Sequence, residues 1–291
     1  MDGIIVINKP KGCTSHDVVY KVKKVFNEKV GHTGTLDPNA TGVLPLLIGK
    51  GTKLSKYLIN HDKIYEVVLK LGVKTDTADS EGKTIEEQSI KSNLLTNENV
   101  INALSSFQGK QEQIPPIYSA IKVNGKKLYE YARNGEKLDL KPRQIEIYSI
   151  ELLNLNKKEN EISFKVECSK GTYIRSLCED IAQKLGTIGY MKELNRIKVG
   201  EFNLAVAVTI EQLKGNINKT EFINEYFYTF ERFFSKNKSI ILPNKELKRF
   251  LNGVKMNVKL QDDLYKIYDS TNTFIGIGEV KSNKLKREII L

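Results

Sequence analysis

The apolar positions in the first part of the chain predict a buried strand, a helix and then an alternating strand. Residues 3–7 are almost wholly apolar and predict a buried strand. Thr14-Ser15 then predicts the cap of a helix whose apolar positions recur at helical spacing: Val18, Val19, Val22, Val25 and Phe26. Residues 64–71 alternate instead, and Tyr65 shares the apolar face of that strand. We therefore expect the Tyr65 side chain to point into the protein.

The middle of the chain continues with both patterns. Residues 97–107 predict a short helix, and residues 145–153 and 161–169 alternate as two strands that could pair. A helix with an apolar stripe follows Arg175, and its apolar positions are Leu177, Cys178, Ile181, Ala182 and Leu185. The residues from Thr209 to Gln212 fit a capping box, which predicts another helix start.

The last part of the chain differs from the rest. Residues 217–235 are rich in aromatic side chains, and we expect them to pack back onto the body. Beyond them, glycine turn signals separate short strand-like runs: 256–260, 264–269 and 273–280. We therefore place a boundary near residue 236, which predicts domains of 1–235 and 236–291.

Residues 109–143 interrupt the pattern of core elements. They contain Pro115-Pro116 and then a basic, tyrosine-bearing stretch from Lys126 to Arg143. Polar, proline-marked segments of this kind are typical of surface loops. We predict an insertion that leaves the core over 109–143.

The net charge of the chain bears on the kind of partner that it could bind. The 291 residues hold 46 Lys and Arg against 35 Asp and Glu, a net charge of +11, and 12 of the basic residues against 6 of the acidic ones lie in 236–291. This excess suits a polyanionic partner, most simply nucleic acid. Solubility and a general preference for lysine account for it equally well, so charge alone leaves both interpretations open.

Composition argues against a membrane protein, a secreted protein and a metalloprotein. No apolar run approaches the roughly 20 residues of a membrane span, and the N-terminus lacks the basic region and cleavage site of a signal peptide. Cys13, Cys168 and Cys178 are widely spaced, and with three histidines they complete no metal-binding pattern. We expect a cytoplasmic protein with reduced thiols, no membrane contact and no bound metal.

A single aspartate stands in an unusual loop, which reads Gly31-His32-Thr33-Gly34-Thr35-Leu36-Asp37-Pro38-Asn39-Ala40-Thr41-Gly42. Glycine permits close backbone approach, and Pro38 restricts Asp37 to extended geometry. A stiff loop would hold the carboxylate in one orientation, as catalysis requires. An ordinary Asp-Pro turn is the simpler interpretation. A phosphate-binding loop fits poorly, because no Gly-x-x-x-x-Gly-Lys-Ser/Thr pattern is completed here.

This loop resembles the catalytic-loop signature of the TruB family of tRNA pseudouridine synthases. Further resemblances to that family follow in order along most of the chain, at residues 8–12, 63–67, 72–82, 114–122, 168–175 and 193–197. The nearest member is the enzyme that acts on uridine 55 of the tRNA T-loop. The weakest resemblance is that of the C-terminal region, which rests on position, size and charge.

The resemblance implies an α+β fold. The catalytic domain would have a mixed, mainly antiparallel central sheet flanked by helices, and a small PUA-like β domain that binds RNA would follow it. Asp37 would be the essential catalytic residue, with Tyr65 and Arg175 as its catalytic partners. The substrate would also contact a second set of side chains: His32, Leu194, Lys9, Tyr173 and Lys122.

Each implied role has a physical basis. The Arg175 guanidinium would keep the Asp37 carboxylate ionised and oriented, and Tyr65 could stack on the target base near C5. Because the base of a folded T-loop must be extruded, His32 could fill the space it leaves. Leu194 would line the pocket. Lys9, Lys11, Lys122 and the basic stretch over 126–143 are candidates for phosphate contacts.

The implied reaction breaks the N1–C1′ bond of uridine and forms a C5–C1′ bond. Nothing is oxidised or phosphorylated, so we expect no cofactor. The carboxylate can attack C6, attack C1′, or abstract a sugar proton to start an elimination, and the sequence leaves all three open. A base must finally remove the C5 proton.

Two other functions remain consistent with the sequence. The chain could be an RNA-binding or tRNA-folding protein without catalysis, or a subunit of a guide-dependent pseudouridine synthase. A DNA-binding protein fits poorly, because no helix-turn-helix or zinc-finger spacing occurs. We expect a stand-alone monomer that acts on the tRNA T-arm without an obligatory protein partner, and an insertion over 109–143 that closes over RNA on binding.

Overall fold

A computed structural model describes residues 1–91, 94–119, 121–136, 138 and 140–291. Its strands form a large central sheet, a smaller sheet near the C-terminus and two short hairpins. The strands up to residue 229 are β1 (Gly3–Lys9), β2 (Val30–His32), β3 (Thr41–Ile48), β4 (Lys63–Leu71), β5 (Val73–Thr75), β6 (Thr84–Glu87), β7 (Gly109–Gln113), β8 (Lys122–Val123), β9 (Lys126–Lys127), β10 (Arg143–Asn156), β11 (Glu161–Cys168), β12 (Gly189–Val199), β13 (Phe202–Asn203) and β14 (Phe227–Thr229). The helices up to residue 233 are α1 (Ser15–Phe26), α2 (Ser55–Leu58), α3 (Asn97–Ser105), α4 (Leu128–Arg133), α5 (Ile174–Lys184), α6 (Ile210–Asn216), α7 (Thr220–Tyr226) and α8 (Phe230–Phe233), and 3₁₀ turns lie at Gly49–Leu54 and Leu204–Val206.

The central sheet is mixed and mainly antiparallel, as predicted. Its strand order is β14-β1-β3-β12-β4-β11-β10-β7, with β2 added beside β3 and β13 beside β12. The pairing of β3 with β12 is parallel, and the other pairs of this sheet are antiparallel. Helices cover one face, where α1, α3, α5 and α6 contribute side chains to the main core.

Local signals explain the elements that flank the aspartate loop. Helix α1 begins with a full capping box, in which the Thr14 side chain accepts from the Asp17 amide and the Asp17 carboxylate accepts from the Thr14 amide. It ends at Asn27, whose φ of 52° is left-handed. On β4 the residues alternate in burial as predicted, and Tyr65 is buried.

The parallel contact between β3 and β12 requires a glycine. Gly42 pairs with Arg196 there, and its φ is 105°. A Cβ atom at Gly42 would lie 2.2 Å from the main-chain oxygen of Arg196. The glycine that closes the loop therefore allows the start of β3 to lie directly against β12.

The predicted insertion begins too early. Residues 109–113 form β7, which pairs with residues 143–147 at the edge of the central sheet. The segment between β7 and β10 is therefore 114–142, and its described residues include the β8–β9 hairpin and α4. The predicted strands at 145–153 and 161–169 are confirmed as the paired strands β10 and β11.

The C-terminal region forms the smaller sheet, with strand order β15-β17-β18-β19-β16. Its elements are β15 (Ser239–Leu242), α9 (Asn244–Leu251), β16 (Met256–Asn257), β17 (Asp263–Asp269), β18 (Phe274–Lys281) and β19 (Lys284–Ile290). The predicted runs at 264–269 and 273–280 are confirmed, the run at 256–260 is shorter than predicted, and β15, β19 and α9 were missed.

The aromatic segment 217–235 packs back onto the body, as predicted. Strand β14 pairs with β1, and Phe230 and Phe234 pack in one cluster with Ile277 and Ile289 of the smaller sheet. The Tyr268 hydroxyl donates to the Glu231 carboxylate at 2.5 Å. In the part of the chain that the structure describes, no helix combines the length and the apolar character needed to cross a membrane.

Candidate active site

The aspartate loop forms one wall of a cavity of about 710 Å³. Strand β4, the start of β10, strand β12 and the segment from Ser169 to the start of α5 supply most of the remaining walls. Five of the residues predicted for the site line this cavity together: Asp37, Tyr65, Tyr173, Arg175 and Leu194. Residues from four distant parts of the sequence therefore share one concave surface, which is where a substrate base can be enclosed.

Arg175 is the electrostatic centre of the cavity. Its Nε atom lies 3.3 Å from Oδ2 of Asp37, and its Nη1 atom lies 3.4 Å from Oδ2 of Asp79. Its Nη2 atom donates to the carbonyl oxygen of Tyr118 at 2.9 Å. Because the arginine is buried, these contacts fix the guanidinium between two carboxylates and the start of the 114–142 segment.

Burial and the neighbouring charges both shift the pKa of the Asp37 carboxyl. Burial raises the pKa of its carboxyl above the usual 3.8, the Arg175 guanidinium lowers it, and the nearby Asp79 carboxylate raises it. The Asp37 side chain keeps a third of its surface exposed, so it can meet a ligand in the cavity. The site thus presents one accessible carboxylate whose ionised form is favoured mainly by a single arginine.

Tyr65 lies deeper than Asp37. It is buried on β4, and burial raises the pKa of its phenol while the neighbouring Arg196 guanidinium lowers it. The phenol is therefore neutral in the absence of substrate, and it can donate or accept a hydrogen bond.

Lys9 corrects a prediction. The side chain is fully buried, and its Nζ atom donates to the carbonyl oxygens of Pro10 at 3.0 Å, Pro38 at 3.0 Å and Ala40 at 2.6 Å. Burial lowers the pKa of this amine. The predicted phosphate contact is wrong in this conformation. The Lys9 side chain instead connects β1 to the main chain that follows Asp37.

Comparison with known proteins agrees with this arrangement. Residues 22–174 match the family described as TruB family pseudouridylate synthase (N terminal domain). Residues 175–249 match the tRNA pseudouridylate synthase B C-terminal domain, and residues 239–287 match the C-terminal domain described as Pseudouridine synthase II TruB. The chain belongs to the TruB family.

Curated relatives match the TruB chain over almost its whole length. The tRNA pseudouridine synthase B of Clostridium kluyveri is 43% identical, with 98% of each chain covered. That of Aquifex aeolicus is 42% identical, with 100% of each chain covered. A chain in a crystal structure of a Cbf5–Nop10–Gar1 complex has a TM-score of 0.68 at 24% identity and covers 96% of this chain and 78% of its own, which shows a shared fold.

Sequence reasoning assigned no role to Asp79, although the 72–82 segment that holds it was part of the TruB resemblance. The carboxylate is buried and accepts from the Thr77 hydroxyl at 2.6 Å and the Glu81 amide at 3.0 Å. Ala78 turns the chain here with a φ of 59°. An acid that caps its own turn gives no sign in the sequence that it also faces Arg175.

The remaining residues predicted to contact the substrate of the TruB chain are His32, Tyr173 and Lys122. His32 ends β2 at the start of the aspartate loop and lies outside the cavity lining. Its ring meets the His16 ring edge-on at 5.7 Å between centroids, and burial lowers its pKa. Tyr173 exchanges two hydrogen bonds with the Gln113 side chain through its main chain, immediately before α5. The Lys122 side chain lies outside the described part of the structure.

Proposed function

We propose that this TruB chain isomerises uridine 55 in the T-loop of tRNA to pseudouridine. One observation carries the proposal: Asp37 lies on an ordered loop that lines a cavity, with Arg175 at its carboxylate and Tyr65 in the same cavity lining. The relatives named tRNA pseudouridine synthase B support tRNA as the substrate. The position within the tRNA rests on the resemblance of the loop 31–42.

Asp37 is the catalytic residue of this proposal. Its ionised carboxylate attacks the nucleotide or abstracts a sugar proton, and the N1–C1′ bond breaks. The base turns within the cavity, and its C5 atom then bonds to C1′. Arg175 keeps the carboxylate charged and aimed, and its own position is fixed by Asp79 and by the Tyr118 carbonyl.

Tyr65 and Leu194 complete the pocket for the base. The buried Tyr65 ring stacks on the base, and its hydroxyl lies where a proton can leave C5. Leu194 supplies an apolar wall, since it borders the cavity near Asp37. No step needs an electron acceptor or a group donor, so the reaction proceeds without a cofactor.

The target base reaches the cavity only after extrusion from the T-loop. His32, at the edge of the aspartate loop, fills the space that the base leaves. Burial lowers the pKa of His32, so the ring is neutral at physiological pH and can stack with neighbouring bases. The 114–142 segment, which is attached to Arg175 through Tyr118, closes over the bound RNA.

The remaining parts of the proposal concern organisation. Residues 1–235 act as the catalytic domain and residues 236–291 as an RNA-binding PUA-like domain, in which basic residues outnumber acidic ones. The protein works in the cytoplasm as a monomer, without an obligatory protein partner or guide RNA.

Release of tritium from tRNA labelled at C5 of uridine tests the proposal, with purified protein and no added metal or nucleotide. We expect release by the native chain and by Asp263→Asn, which removes an exposed carboxylate in the smaller sheet. We expect none by Asp37→Asn, with tRNA affinity retained. A tRNA with cytidine at position 55 should release no tritium.

Two outcomes contradict the proposal. Tight tRNA binding without tritium release by the native chain would favour an RNA-binding role or a guide-dependent subunit. Release from the tRNA with cytidine at position 55 would place the target uridine elsewhere.

A further inference from the structure

Arg196 is a buried cation with an unusual set of partners. It is 2% exposed, and its Nε atom donates to the carbonyl oxygen of Val43 at 2.8 Å. Its Nη2 and Nη1 atoms face the carbonyl oxygens of Gly34 at 3.1 Å and Thr35 at 3.5 Å. Among the described residues no carboxylate lies within 4 Å of it, whereas Arg175 contacts two.

The cross-strand neighbour of Arg196 is Tyr65. Arg196 on β12 lies directly opposite Tyr65 on β4 in the antiparallel register. Burial raises the pKa of the Tyr65 phenol, and the charge of the Arg196 guanidinium lowers it. Side chains opposite each other on adjacent strands are about 5 Å apart at Cβ. Both residues line the cavity. Arg196 therefore neighbours Tyr65 while its guanidinium faces the main chain that leads into Asp37.

A cation buried without a carboxylate partner is costly to keep. Packing alone does not explain it, because an apolar side chain would fill the same volume without that cost. The carbonyl oxygens of Gly34 and Thr35 lie three and two residues before Asp37. An arginine can reach three separate points at once because its planar fork carries five donors.

We propose that Arg196 is a positioning residue that holds the Tyr65 phenol in register with the main chain immediately before Asp37. The inference rests on the proposed function. Arg175 orients the Asp37 carboxylate itself, whereas Arg196 sets the distance between the loop that carries Asp37 and the phenol on β4. Without Arg196, Tyr65 and Asp37 would each remain in the cavity but their relative position would no longer be fixed.

The test is a double-mutant cycle measured by single-turnover tritium release from labelled tRNA, together with tRNA affinity and melting temperature. Its proteins are the native chain, Arg196→Gln, Tyr65→Phe and the double variant. We expect Arg196→Gln to lower the rate by about 100-fold, with tRNA affinity changed by less than about threefold. In the Tyr65→Phe background the same substitution should cost at least about tenfold less.

Two further variants separate positioning from a merely structural role. Arg196→Lys keeps the charge and should recover part of the rate lost in Arg196→Gln. Arg232→Gln removes an exposed arginine whose Nη1 atom also faces three carbonyl oxygens, those of Asn224, Glu225 and Phe227. It should lower the melting temperature without changing the rate.

Additive rate losses in the cycle, or an unchanged rate in Arg196→Gln, would overturn the inference. If Arg196→Gln does not fold, Arg196→Lys takes its place in the cycle with the same criterion. A native chain that releases no tritium would instead overturn the proposed function, before any variant is compared.

Discussion

The Ser15 hydroxyl satisfies both main-chain groups of Leu36, the residue immediately before Asp37. It donates to the Leu36 carbonyl oxygen at 3.0 Å and accepts from the Leu36 amide at 2.9 Å, and all of these atoms are buried. Ser15 is the first residue of α1, which the Thr14–Asp17 capping box holds in place. The position of Asp37 is therefore set partly by the start of a helix more than twenty residues earlier.

Ser15→Ala should impair the placement of Asp37 without impairing tRNA binding. The substitution leaves a buried amide and a buried carbonyl without their partner, which should destabilise the fold by about 1–3 kcal/mol. The loop would also lose one of its fixed points, and we expect the single-turnover rate to fall by about 100-fold. Affinity for tRNA should change by less than about twofold. Denaturant unfolding, tritium release and filter binding measure the three quantities.

Ser106→Ala is the matched control for Ser15→Ala. The Ser106 hydroxyl donates to the Ala103 carbonyl at the end of α3, away from the cavity. It should lower stability without changing the rate. A Ser15→Ala protein that loses stability but keeps the native rate would show that the hydroxyl does not position Asp37.

Much of this site follows from local patterns. The cap of α1 at Thr14-Ser15, the alternation on β4 and the glycines around Asp37 are short-range features, so the sequence alone predicts them. They explain why a buried Tyr65 and an ordered aspartate loop could be expected. The family resemblance then indicated that Arg175 belongs beside Asp37.

The parts that sequence reasoning missed depend on irregular pairing or on distant partners. Strand β12 has register shifts between Met191 and Glu193 and between Arg196 and Lys198, and such bulges break the alternation by which a strand is recognised. Lys9 was misjudged because lysine is rarely buried, and only the fold shows three carbonyl oxygens around its amine. The contact between Asp79 and Arg175 depends on the left-handed turn at Ala78 and on helix α5, which is distant in the sequence.

Asp37→Asn should stabilise the protein at neutral pH while it abolishes turnover. Because burial raises the pKa of Asp37 above 3.8, the folded state binds this proton more tightly than the unfolded state. The charged carboxylate therefore opposes folding above its folded pKa, and that penalty fades as the pH falls through the folded pKa toward 3.8. Melting temperatures of the two proteins at pH 7 and at pH 4 measure the difference.

The gain for Asp37→Asn should be largest at pH 7 and smaller at pH 4. Asp263→Asn, in which the removed carboxylate is exposed, should show no comparable pattern. A lower melting temperature for Asp37→Asn at pH 7 would mean that the pairing with Arg175 outweighs the cost of burying the charge.

Lys9→Met should weaken the fold and leave the salt dependence of tRNA binding unchanged. The three carbonyl oxygens around Nζ would lose their donor, so we expect a loss of about 1–3 kcal/mol in the free energy of unfolding. A buried amine releases no counterions from RNA, so the slope of log affinity against log salt should stay the same. Lys11→Met, at an exposed position of the same segment, is the control for stability. If Lys9→Met reduced the slope by about 1, the result would support a phosphate contact by Lys9 and contradict the buried position described above.

The three cysteines should differ sharply in reactivity. Cys168 and Cys178 are buried, and burial raises the pKa of Cys168 to about 12 and that of Cys178 well above its usual value. Disulfide reagents react with the thiolate, so only the half-buried Cys13 should react in the native protein, and all three should react in denaturant. Cys13→Ser should abolish the native reaction. Fast reaction of more than one thiol in the native protein would contradict this, because it would require β11 or α5 to open, and α5 carries Arg175.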